Sequence, residues 1–127
     1  MKHVLLPIDG STRSLRTIDM VQQTYRPQDT EVTPMPDHEE ITQDPQTKEE
    51  ARLLVESFAK MLPGYQTTAA LRFGSPGPEI IQFAKEGGFD AILMTRSSRG
   101  STQKLGSVST YIVQNASFIT TTVLREA

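Results

Sequence analysis

Cysteine is absent from the 127 residues. Disulfides, thiolate zinc sites and cysteine nucleophiles are therefore excluded, and the chain suits a reducing cytoplasm. Tryptophan is absent too, aromatic residues are 6% of the chain and hydrophobic residues 36%. Such a composition is lean for a core and favours shared burial in a homodimer. Neither sign of charge dominates: 13 basic residues face 15 acidic ones, for a formal charge of −2. A basic surface that would drive nucleic-acid binding is thus missing. No long apolar run exists. The first, Val4 to Ile8, is interrupted by Pro7 and is too short for a signal-peptide core or a membrane span. The expectation is one cytoplasmic domain over residues 1–127, engaging neither membrane nor nucleic acid.

What is present alternates. Val4–Ile8 reads as a central parallel strand, buried on both faces. Leu15, Ile18, Val21 and Tyr25 recur at helical spacing as far as Arg26, before Pro27. Thr30–Thr33 reads as a short strand that Pro34 and Pro36 stop, because proline has no N–H for an interior ladder. Asp37 to Pro45 is a polar, acidic loop. Thr47 and Glu50 form a capping box for a helix whose apolar stripe is Ala51, Leu54, Val55, Phe58, Met61 and Leu62, closed by Pro63-Gly64. Thr67–Phe73 reads as a third strand. Ser75 as N-cap and Pro76 open a helix with Ile80, Ile81 and Ala84 inward, ended by Gly87-Gly88. Phe89–Thr95 contains a fourth strand, Ser107–Asn115 a helix burying Val108, Ile112 and Tyr111, and Phe118–Leu124 a last strand. The alternation predicts a parallel sheet with helices on both faces, and ligands beyond the carboxyl ends of its strands.

Several chemistries find no motif. There is no Gly-x-x-x-x-Gly-Lys-Ser/Thr loop, no Gly-x-Gly-x-x-Gly after the first strand and no Gly-x-Ser-x-Gly elbow. His3 and His38 have no partner at metal-ligand spacing. Asp37, Glu39, Glu40 and Asp44 lack calcium-loop spacing and read as solvated. A receiver domain would want paired acids at the end of the first strand, where Pro7 and Ile8 precede Asp9.

Four segments carry a family resemblance in order. Leu6-Pro7-Ile8-Asp9-Gly10-Ser11 resembles the opening strand of universal stress proteins. Gly74-Ser75-Pro76 with Glu79-Ile80-Ile81 resembles the turn into their third helix, and Phe89-Asp90-Ala91-Ile92-Leu93-Met94 their fourth strand. Leu105-Gly106-Ser107-Val108-Ser109 is similar to their signature turn into the last helix. The resemblance implies a doubly wound α/β fold, adenine nucleotide alpha hydrolase-like, with five parallel strands in the order 3-2-1-4-5. It further implies a homodimer through the last strand, and ATP or AMP held over strands 1 and 4 by Pro7, Asp9, Ser97, Gly100, Gly106 and Ser107.

The pattern departs from the family's nucleotide fingerprint, which runs glycine, two residues, glycine, nine residues, then glycine followed by Ser or Thr. Ser97 replaces the first glycine, and only Ser101 to Leu105 separate Gly100 from Gly106. Glycines admit main-chain N–H groups to phosphate, and a helix start adds unpaired donors and a positive dipole end. A shorter loop has less main chain to offer. Arg96, Arg99 and Lys104 still favour a small anion, although such residues also suit a solvated loop. Asp9 reads equally as a ribose or adenine ligand and as a turn residue. Gly106-Ser107 reads as half a phosphate cradle or as a simple helix cap. The expectation is a regulatory or stress-protective binding protein, not an enzyme, with weakened or lost adenine-nucleotide binding. The alternative is an ATP or AMP sensor. No cofactor is required by either.

Overall fold

Five strands lie side by side and all run the same way, in the order β3-β2-β1-β4-β5. They are β1 (Lys2–Ile8), β2 (Thr30–Pro36), β3 (Gln66–Thr67), β4 (Ala91–Thr95) and β5 (Thr120–Leu124). Between them come helices α1 (Leu15–Thr24), α2 (Pro45–Lys60), α3 (Pro76–Gly87) and α4 (Ser107–Asn115). The structure, a computed structural model, describes residues 1–8, 14–36, 45–72, 74–95 and 107–124. The doubly wound α/β order expected from the sequence is the order observed.

Connections β1 to β2 to β3 step one way along the sheet, and β3 to β4 to β5 return past β1 and step the other. Right-handed crossovers then place α1 and α2 on one face and α3 and α4 on the other. The two apolar clusters divide accordingly. Val4, Leu6 and Ile8 of β1 pack with Ile18 and Val21 of α1 and Val55 and Phe58 of α2. Leu5 packs with Ile80, Ile81 and Ala84 of α3 and Ile112 of α4. Burial of β1 on both faces explains why Val4–Ile8 shows no alternation.

Two prolines behave differently from expectation. β2 does not stop before Pro34; it runs through Pro36 and pairs with β1 at every position from Lys2↔Thr30 to Ile8↔Pro36. The reason is parity. Thr68 N–H donates to Val32 O and Ala70 N–H to Pro34 O, each at 3.1 Å, so even-numbered residues of β2 turn their main chain towards β3. The N–H groups missing at Pro34 and Pro36 therefore fall on the β3 side, and the β1 ladder is untouched. The loss falls instead on β3. It spans two residues, where the sequence predicts Thr67–Phe73.

Other boundaries also move. α2 begins at Pro45, suited to the first helical position, so Thr47 lies inside the helix and is not its N-cap. Ser75 precedes α3 in extended conformation, but its hydroxyl makes no capping bond. α1 ends at Thr24 and β5 begins at Thr120. Leu15, Met61 and Tyr111, predicted to face inward, are exposed. The end of α3 follows expectation: Gly88 takes φ +63°, and Phe89 N–H closes the cap on Ala84 O at 3.3 Å.

Candidate functional site

Strand order reverses between β1 and β4, since β1 leads through α1 to β2 while β4 is entered from α3 on the opposite face. Open sheets of this kind take ligands in the crevice beyond the carboxyl ends at such a reversal. Here the strand ends are Pro7 and Ile8 of β1, Met35 and Pro36 of β2, and Met94 and Thr95 of β4, all buried. Thr95 is the one hydroxyl among them, 4% exposed. The sequence reading did not single it out, although it is the only polar residue of the run Ala91–Thr95. Met35 and Met94, read as packing residues, do pack in the cluster under α3 and α4.

Of the residues expected to bind a nucleotide, Pro7 is placed at this crevice. Ser107 is the first residue of α4, and its side chain lies outside the described residues, as do Asp9, Ser97, Gly100 and Gly106. Asp37, Arg96, Arg99 and Lys104 lie outside them too.

Two helices start near the carboxyl ends of β3 and β4, and only one start suits an anion. α3 opens Pro76-Gly77-Pro78, and its prolines delete two donors. Glu79 N–H is already given to Ser75 O at 3.1 Å. The Glu79 carboxylate occupies the first turn and holds Arg72 Nε at 3.1 Å. Arg72 Nη1 also reaches Glu86 at 2.9 Å, and the guanidinium sits 5.3 Å from the centre of the Phe83 ring. Hydrogen bonding to Arg72 pulls the Glu86 carboxyl below its ordinary range, and bonding to Glu86 raises Arg72 in return. Arg72 is thereby committed. α4 has no acidic residue in its first turn, Ser107-Val108-Ser109-Thr110, and no proline there, so its dipole end remains positive.

Described residues line two of the cavities. One of about 250 Å³ is lined by Pro45, Lys48, Glu49, Arg52 and Leu71. Its Arg52 is paired with Glu49 and Glu56 on the same helix. The other, about 200 Å³, lies between the starts of α3 and α4, against Pro76, Pro78, Val108 and Tyr111. At the opposite end of the sheet, His3 Nδ1 lies 3.3 Å from Glu31 Oε1. Among the described residues no three His, Asp or Glu side chains converge as metal ligands would, and no helix is long and apolar enough to cross a membrane.

The family model described as the universal stress protein family matches residues 1–123. No curated protein sequence is significantly similar to the chain. Among solved structures, the hypothetical protein MJ0577 is 23% identical, with a TM-score of 0.86 over 99% of this chain and 96% of its own. A universal stress protein family protein from Arabidopsis thaliana with AMP bound is 17% identical, with a TM-score of 0.69 over 100% and 93%. The universal stress protein from Archaeoglobus fulgidus in complex with dAMP is 19% identical, with a TM-score of 0.64 over 97% and 96%.

Proposed function

The chain belongs to the universal stress protein family, and from that premise we propose that it is a regulatory, stress-protective binding protein whose hold on adenine nucleotides is weakened. The observation that carries this reading is the spacing of five residues between Gly100 and Gly106, where the family's nucleotide fingerprint has nine. The crevice between β1 and β4 and the anion-competent start of α4 support a nucleoside monophosphate at this position. Relatives that hold AMP and dAMP support the same ligand class. A loop four residues shorter removes main-chain donors from the outer phosphates first, so ATP gains little over AMP. No turnover is proposed. The protein works in the cytoplasm as a homodimer paired along β5.

Calorimetric titration with ATP and AMP tests the reading. The expected dissociation constants are weaker than about 100 μM, equivalent to about −5.5 kcal/mol. ATP binding tighter than this, and abolished in Gly106→Val, overturns the weakened hold. The second reading, an intact ATP or AMP sensor, then takes its place. It is favoured by the retained Gly106-Ser107 pair at the start of α4.

A further inference from the structure

One arginine among the described residues differs from the rest. Arg26 pairs with Asp29, Arg52 with Glu49 and Glu56, and Arg72 with Glu79 and Glu86. Arg16 Nη1 is buried and has no hydrogen-bond partner. Asp19, one turn further along α1, does not accept from it. A guanidinium keeps its charge at any working pH, so it cannot relieve a shielded nitrogen by releasing a proton. An unmade hydrogen bond at a buried donor is costly, and more so on a charged group. An anion that reaches this nitrogen removes the penalty.

Helical geometry fixes the side of α1 on which Arg16 lies. Ser14, Thr17, Ile18 and Val21 are buried and mark the face turned to the sheet. At about 3.6 residues per turn, Arg16 and Met20 fall together on one flank. The right-handed crossover from β1 through α1 to β2 leaves that flank on the side of β4 and β5. Met20 agrees, for it packs on the cluster that holds Leu93 of β4 and Leu124 of β5. Helical side chains lean towards the N-terminus of their own helix. Arg16 is the second residue of α1, which follows the carboxyl end of β1. Its guanidinium is thereby directed to the carboxyl-end side of the sheet, past β4.

Two features of that region suit an anion. The first turn of α1 contains no acidic residue, so its dipole end stays positive. Thr95 closes β4 and is 4% exposed. It stands two residues beyond Leu93, so its hydroxyl is on the α1 face of the strand.

We infer that Arg16 is the phosphate-binding residue of the crevice: its guanidinium takes the phosphate of an adenine nucleoside monophosphate beyond the end of β4. The identity of the ligand rests on the nucleotide reading above, and the anion site rests on the unpaired Arg16 nitrogen. A side-chain contact of this kind does not depend on how many main-chain donors lie between Gly100 and Gly106.

Arg16→Met keeps the apolar stem and removes the charge, with Arg16→Gln as the second variant should the first fold poorly. AMP and adenosine share a base and a sugar and differ in the phosphate, so NMR titration with both isolates its contribution. In the parent, AMP is expected to bind at least about tenfold more tightly than adenosine. In Arg16→Met that preference disappears while adenosine affinity is unchanged. An AMP preference that survives the substitution overturns the inference. So does an equal loss of AMP and adenosine affinity, which marks Arg16 as a structural residue. If the parent binds neither compound at millimolar concentration, the nucleotide reading fails, and inorganic phosphate then decides the anion site alone. Compared with chloride at equal ionic strength, phosphate is expected to raise the melting temperature of the parent and not of Arg16→Met. Equal melting shifts in the two proteins overturn the site.

Discussion

The hydroxyl of Tyr65 donates to the main-chain carbonyl of Tyr25 at 2.6 Å, joining the start of β3 to the end of α1 across 40 residues. The same oxygen lies 3.3 Å from Val21 O, which already accepts Tyr25 N–H at 2.8 Å. Helix ends leave carbonyls without intrahelical donors. Here a tyrosine supplies one, while its ring packs on the cluster under α1 and α2.

Tyr65→Phe keeps the ring and removes the donor. The expected cost is about 1 kcal/mol in urea unfolding. A pH signature accompanies it. Burial raises the Tyr65 phenol above its ordinary value of 10.0. The folded state therefore keeps this proton where the unfolded chain releases it. The associated stability is complete below about pH 10 and is lost as pH rises through the folded value. Alkaline destabilisation is expected to be shallower in Tyr65→Phe. An identical alkaline slope in both proteins contradicts the assignment.

Gly77 lets α3 approach α4. A Cβ built there stands 2.9 Å from Tyr111 Cδ1 and 3.0 Å from Cγ, the root of the ring and not a flexible tip. Overpacking costs about 1–3 kcal/mol, against about 1 kcal/mol that alanine gains over glycine within a helix. Gly77→Ala is therefore expected to destabilise by up to about 2 kcal/mol. In a Tyr111→Ala background the sign reverses, because the obstacle is gone. A double-mutant cycle measured by denaturant unfolding checks it.

Arg72 ties the segment after β3 to α3 through Glu79 and Glu86. The Glu86 carboxyl is depressed by this bond, so its contribution is present above about pH 4.5 and is lost as pH falls through the folded value. Arg72→Gln is expected to lower the melting temperature near neutral pH, and to flatten the loss of stability below about pH 4.5. Because these groups are partly exposed, added salt should narrow the difference between the two proteins. A salt-independent difference points to lost packing on Phe83 instead.

The parts of the fold that sequence reveals are those where local pattern and burial agree. Val4–Ile8 is apolar throughout because helices cover both its faces, and Ala91–Met94 follows the same rule. The errors cluster at prolines. Whether Pro34 ends a strand depends on which neighbour its missing donor faces, and that is a property of sheet order and register, not of the segment. β3 fails for the same reason: its shortness is caused by residues of β2. Tyr111 sits at a helical spacing that predicts burial, yet it is exposed and lies against Gly77. At the site, the resemblance points to Pro7, and the structure places it near the carboxyl end of β1. Thr95 escaped notice because one hydroxyl closing an apolar run has no motif of its own.

The edge of the sheet offers a direct test of the dimer. Ala91 and Leu93 turn their main chain to β1, so Ile92 and Met94 turn theirs to β5. In the register Ile92↔Thr121 and Met94↔Val123, the groups reaching back from β5 belong to Thr120, Thr122 and Leu124. Those of Thr121 and Val123 point away from the sheet, where a second β5 would meet them. Proline at position 121 deletes one outward donor, spares the β4 ladder and is tolerated on an edge strand. The hydroxyl it replaces is buried without a hydrogen-bond partner, so its removal forfeits no bond. Sedimentation of the parent is expected to give twice the 14.1 kDa chain mass, and Thr121→Pro the single mass with an unchanged circular dichroism spectrum. A folded Thr121→Pro that remains dimeric with the parent's affinity counts against pairing through this edge, since one of the two outward donors is gone.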